Sequence, residues 1–260
     1  MEILKQTVRY EVFDKMKELA MILVIMGHTH ILARPIWTFH MPLFIILAGY
    51  FFRPKSVTES LKKDARRLLL PVLFVMAVMI LYGAVMYAFT GDKDKMLPWL
   101  YGMMNVFHFH LEPSVGIGPL WFLLAMYWCK NLFNMCHILF KPAWGRWIAI
   151  ASLVCLGLVC KDKWDVCYMA VGMHAMLFYG MGYIWKQSKD KLDAMSDTSK
   201  WVVVLLAFVL WLYCYCAADS FDELPSMTFP NGILLDSMAA FAMTFVLYTL
   251  LSRIRFGGVF

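Results

Sequence analysis

Three histidines early in the chain have side chains suited to proton transfer in an unusual setting. His28, Thr29, His30 and His40 interrupt the otherwise apolar stretch KELAMILVIMGHTHILARPIWTFHMPLFIILAGYFF, residues 17–52. Imidazole accepts and returns a proton near neutral pH, so a histidine in an apolar segment facing a polar cavity suits general acid–base work. An isolated intramembrane histidine can equally be a structural group that hydrogen-bonds a neighbouring helix. Three between positions 28 and 40 favour chemistry, because polar groups in lipid are costly. At ~1.5 Å per residue, Lys17 lies about 16 Å along a helix from His28, which places a cation at the membrane surface and an imidazole deep in the first span. Zinc is disfavoured: His28 and His30, two apart, point to different helix faces, and neither HExxH nor a cysteine partner is present.

A second constellation is SLKKDARRLLLP, residues 60–71. Lys62, Lys63, Arg66 and Arg67 recur at helical spacing, and Lys63 and Arg66 can share one face and hold a phosphate. The same residues would serve as a positive-inside anchor or meet anionic head groups. A third is GPLWFLLAMYW, residues 118–128, where Gly118-Pro119 breaks the chain and Trp121 stands where aromatics anchor at an interface. His174 and Asp236 are lone polar residues in later apolar runs and read as structural.

The elements that must position these groups follow from composition. Of 260 residues, 62% are apolar and only 16% charged, whereas soluble domains are about 45–50% apolar and about 25% charged. The apolar excess suffices for about eight crossings of ~20 residues each. The expected fold is therefore all-α: a polytopic membrane protein with about eight transmembrane helices, near 17–34, 36–53, 68–89, 117–139, 145–160, 165–186, 201–218 and 232–251. The first two form a tight hairpin about Arg34-Pro35. No cleavable signal sequence is apparent, so the first helix is expected to remain as an anchor.

Lys and Arg counts set the orientation. Nineteen fall in the N-terminus, the 53–67 loop, the fourth and sixth loops and the C-terminus, against five on the other side. That asymmetry puts both termini in the cytoplasm. The 90–116 segment, with Asn105, His108, His110, Glu112 and Pro113 among aromatics, is expected on the outer face, partly dipping into the membrane. Without repeats or linkers, one membrane domain covers residues 1–260. The net charge of +6 reflects loop clusters without interleaved aromatics, which argues against nucleic acid as a partner. The seven cysteines form no CxxC pair and read as small buried hydrophobes.

Taken together and in this order, Asp14-x-x-Lys17, VIMGH ending at His28, FHMPLFIILAGYFF, KKDARRLLLP and GPLWFLLA resemble the membrane-bound acyltransferase family 3, in particular its fucose 4-O-acetylase-like branch. The likeness spans residues 14–128; the later spans agree in general character. The resemblance implies a bacterial inner-membrane enzyme moving an acyl group, usually acetyl, from acetyl-CoA to a hydroxyl of a sugar or cell-surface glycan, with no other bound cofactor and no metal. It implies His28 as the base, Lys17, Lys63, Arg66 and Arg67 as the donor-binding cations with Asp14 orienting Lys17, and His40, His108 and His110 facing the acceptor. Lys63 stands where the family usually has arginine, which keeps the charge but not the two-pronged phosphate grip. Family members commonly have about ten spans, so the resemblance also implies a compact variant or a chain truncated at its C-terminus. The competing expectation is a transporter or flippase-like protein for a glycan or lipid-linked sugar, with the histidines as proton relays; inverted repeats and broken helices, its usual marks, are not evident.

Overall fold

A computed structural model describes residues 2–107, 111–115, 118–161, 164–218 and 228–254. All regular structure among them is helical: α1 (Glu2–His28), α2 (Ala33–Trp37), α3 (His40–Tyr50), α4 (Val57–Asp64), α5 (Leu70–Thr90), α6 (Leu97–Asn105), α7 (Trp121–Leu139), α8 (Ala143–Cys160), α9 (Met169–Asp193), α10 (Asp197–Ala217) and α11 (Ile233–Arg253). A π-helical turn, Ala65–Leu69, joins α4 to α5. The residues fall into two compact units, Met1–Phe52 with Phe178–Phe260 (unit 1) and Arg53–Leu177 (unit 2).

Among the described residues, four stretches are long and apolar enough to cross a membrane: Val57–Thr90, α8, α10 and α11. In the 21 residues of α5 only Val72 and Gly83 are buried, and Phe74, Leu73 and Leu81 are exposed, as expected where lipid replaces water. Eight spans were expected from the apolar total, and helices do occupy the expected places, but the other four differ. Only the last third of α1 is free of charges, α3 has 11 residues, or about 16 Å against a core of ~30 Å, and α9 ends in the charged run Lys186–Asp193. α7 carries Lys130, Asn131 and Asn134 in its second half. The expected hairpin of two full spans is instead the end of α1, a turn at 29–32, the short α2, and α3.

In unit 1, Phe13 of α1 is fully buried, with its ring 4.4 Å from Tyr50, 5.0 Å from Phe51 and 5.4 Å from Tyr248. α3 meets α9 almost backbone to backbone. A Cβ on Gly49 would lie 2.0 Å from the Tyr179 carbonyl oxygen, and one on Gly182 would lie 1.9 Å from that of Ile46. Such small-residue contacts are how membrane helices gain packing without a hydrophobic drive between them. In unit 2 the core joins Val72, Met103, Val106 and Leu124 from α5, α6 and α7. α6, within the segment expected on the outer face, packs on the second half of α5, with the Trp99 ring 4.7 Å from Tyr82.

Candidate functional site

The basic cluster is built by two helices of unit 2. Ser56 caps α4 by accepting the Glu59 N–H at 3.3 Å, the Ser-x-x-Glu start signal. One face of α4 is tied to α7. Ser60 Oγ donates to Asn131 Oδ1 at 2.8 Å, and the buried Asp64 carboxylate receives the Lys130 ammonium. Just before the helix, Asn134 Oδ1 accepts the Lys55 N–H at 3.0 Å while its Nδ2 donates to the Lys55 carbonyl at 2.9 Å. With Ser60 and Asp64 turned inward, Lys62, Arg66 and Arg67 are exposed and Lys63 is partly so. The π turn, closed by Leu70 N–H to the Ala65 carbonyl, carries both arginines; such turns are frequent at functional sites. Ahead of them, Lys55 Nζ stands 4.0 Å from Glu59 Oε1, one helical turn before Lys63.

Lys130 was expected in a cytoplasmic loop; it sits inside α7 because its charge is matched by Asp64. Removing one member of such a pair strands a buried charge. Lys130→Met is expected to destabilise the protein by about 3 kcal/mol, and adding Asp64→Leu should recover most of that loss, as measured by thermal unfolding in detergent.

The acid–base candidates lie in unit 1. Lys17 is exposed, 2.9 Å from Asp14 Oδ1 and 5.4 Å from the centre of the Phe51 ring, so the expected Asp14–Lys17 partnership is present. His28 is the last residue of α1 and its ring is exposed, rather than deep within a longer span. The helix ends there because His30 (φ 61°) and Leu32 (φ 53°) take left-handed conformations, which cost energy for non-glycine residues and cluster at functional sites. Thr29 Oγ1 closes the turn on the Ile25 and Met26 carbonyls, each at 3.1 Å. His40 is buried and its Nδ1 lies 2.9 Å from the Ile36 carbonyl oxygen. That nitrogen therefore carries the proton and donates, leaving Nε2 as the basic position of the neutral ring.

His108 and His110 lie outside the described residues. Asn105 donates to the Leu111 carbonyl at 2.9 Å and accepts its N–H at 2.7 Å. Trp121 opens α7, its ring 6.3 Å from Tyr168. Asp236 accepts the backbone and side-chain N–H of Asn231 at 3.0 and 2.8 Å, the structural role expected of it. Of the cysteines, Cys129, Cys136 and Cys214 are buried, whereas Cys155 and Cys216 are exposed, contrary to a uniformly buried set. Lys189, counted from sequence as a loop charge, is buried in unit 1, donates to Tyr248 Oη at 2.9 Å and lies 5.8 Å from the Phe13 ring centre. No sequence signal distinguishes it from its neighbours Lys186 and Lys191.

The described residues are thus all-helical in their regular structure, with four stretches long and apolar enough to cross a membrane. Residues 11–260 match the family described as "Acyltransferase domain", and the chain belongs to that acyltransferase family 3. Among curated proteins, it is similar to the nodulation protein NolL of Sinorhizobium fredii (strain NBRC 101917 / NGR234), with 24% identity over 80% of this chain and 56% of that protein. It is also similar to NolL of Mesorhizobium japonicum (strain LMG 29417 / CECT 9101 / MAFF 303099), with 24% identity over 70% of this chain and 45% of that protein. The chain thus spans about half the length of the curated relatives it matches. No solved structure matches it significantly.

Proposed function

We propose that this protein is an O-acyltransferase of the bacterial inner membrane that moves an acetyl group from acetyl-CoA to a hydroxyl of a sugar or cell-surface glycan, as in the fucose 4-O-acetylase-like branch. Both termini lie in the cytoplasm in this reading, which the nineteen-to-five division of basic residues supports. The observation that carries it is the run of like charges left outward on α4 and the π turn: Arg66 and Arg67 are exposed and Lys63 partly so, while the intervening Asp64 carboxylate is turned inward to Lys130. Such a group gains from an anion, and the phosphates of a CoA thioester supply one at the cytoplasmic end of α5.

His28 then removes the proton of the acceptor hydroxyl as its oxygen attacks the thioester carbonyl. The C–S bond breaks, CoA leaves as its thiol once it takes up a proton, and the acyl group ends as an ester. Lys17 adds positive charge on the cytoplasmic side, and His40, His108 and His110 face the acceptor. The test is radiolabelled acetyl transfer by membranes carrying the wild type or Lys63→Gln with Arg66→Gln. The double variant is expected to raise KM for acetyl-CoA at least about tenfold with kcat little changed, the pattern of lost uniform binding. An unchanged KM would return both residues to a topology role.

A further inference from the structure

Asp236 is fastened to Asn231, and that pairing does not account for its charge. The side chain is 3% exposed in the first turn of α11, and among the described residues its carboxylate receives two hydrogen bonds, both from Asn231, and no cation. An ionised carboxylate offers about four acceptor positions, and burying one among neutral donors alone is costly. Asn231 is itself anchored, its Nδ2 also donating to the Cys214 carbonyl at 3.0 Å, so the carboxylate is held in one orientation. Asp236 lines a partly open cleft of unit 1 with Trp37, Thr38, Phe178, Phe229 and the exposed Thr228. Thr38 is equally constrained: its Oγ1 donates to the Pro35 carbonyl and accepts the Trp211 indole N–H, each at 2.8 Å. That leaves it one lone pair and no proton to offer. The pyrrole edge of Trp37 abuts α1, since a Cβ on Gly27 would lie 2.9 Å from its Nε1. The cleft therefore adjoins the end of α1 that carries His28.

We propose that this cleft is the acceptor subsite and that it takes a pyranoside without an anionic group, so that uronic acids and phosphosugars are refused. The inference rests on the acyl-transfer reading above and adds to it the residues and the charge class of the acceptor. A ligand here meets two fixed acceptors, Asp236 and Thr38, beside the rings of Trp37 and Phe229. It must bring hydroxyl protons and C–H surface, which a sugar ring carries on its edge and its face. It must not bring a carboxylate or phosphate, because a second negative charge beside a buried carboxylate is repelled. The enclosed part of the cleft admits little more than one water-sized group. The ring thus lies across the mouth and sends a single hydroxyl inward to Asp236, which binds and orients while proton removal stays with His28.

The test is transfer from radiolabelled acetyl-CoA by the full chain in phosphatidylcholine nanodiscs to matched methyl glycosides: glucoside and glucuronide, galactoside and galacturonide, mannoside and its 6-phosphate. The wild type is expected to acetylate at least one neutral member with kcat/KM at least about tenfold above that of its charged partner. Asp236→Asn should raise KM for that glycoside about tenfold, leave KM for acetyl-CoA unchanged and close most of the gap between the partners. Trp37→Ala should raise the glycoside KM while the gap persists. A gap that closes in one variant and persists in the other is an outcome that lost folding cannot imitate. Equal use of neutral and charged partners by the wild type would overturn the proposal and leave the acyl-transfer reading standing. So would an Asp236→Asn variant weakened equally for both partners, or not at all, and so would a wild type that hydrolyses acetyl-CoA with water but acetylates no glycoside. A wild type that turns over no acetyl-CoA, with glycosides or with water, would remove both.

Discussion

Replacing His28 by alanine is expected to lower acetyl transfer by about 10²–10⁴-fold, the usual contribution of a positioned general base, with KM for acetyl-CoA little changed. The ring is exposed at the end of α1, so its loss removes no packing, and the variant should unfold at the wild-type temperature. His30 is a built-in comparison. It is equally exposed and two residues on, but it sits in the left-handed turn beyond the helix, and His30→Ala is expected to retain activity. Radiolabelled transfer with both variants separates a base at one position from a general need for histidine. Equal activity of His28→Ala and wild type would remove His28 from the mechanism, and Nε2 of His40, left basic by the bond of its Nδ1 to Ile36, would be the next candidate.

The second large effect is on stability. Gly182→Ala puts a methyl group 1.9 Å from the Ile46 carbonyl oxygen, and Gly49→Ala puts one 2.0 Å from that of Tyr179. Both obstacles are backbone atoms of a packed helix, which cannot step aside as a side-chain end can. Overpacking of this kind costs about 3 kcal/mol, so each variant should unfold well below the wild-type temperature in detergent. The double variant should lose less than the sum, because one separation of α3 from α9 relieves both clashes. Since α3 begins at His40, either change also shifts that ring. A variant as stable as wild type would mean that the two helices lie farther apart than described.

The all-helical class and the places of most helices were legible because apolar runs are long and local signals mark their ends. Ser56-x-x-Glu59 starts α4, and Gly91, at φ 66°, ends α5. The first hairpin was misjudged for a physical reason: hydropathy is an average over a window, whereas α1 stops because two non-glycine residues, His30 and Leu32, turn left-handed. No composition count sees that. The exposed cations of α4 and the π turn could be read from their helical spacing. Lys55, Lys130 and Lys189 could not, since their roles depend on Asn134, Asp64 and Tyr248, which the fold brings from 59 to 79 residues away. Read in sequence, each is one more basic residue near a membrane.

The π turn at Ala65–Leu69 has a consequence for how this segment tolerates insertion and deletion. A π turn accommodates one residue more than the α-helix it interrupts, and each helical residue is worth about 100° of rotation. Closing the turn to continuous α-helix while keeping every residue would swing everything before it by about that angle against α5. Ser60 and Asp64 would then leave Asn131 and Lys130, and the cations would turn toward α7. The extra residue thus acts as a phase setting between α4 and α5, and deleting Leu68 together with the π turn should be better tolerated than deleting a residue from the middle of α4.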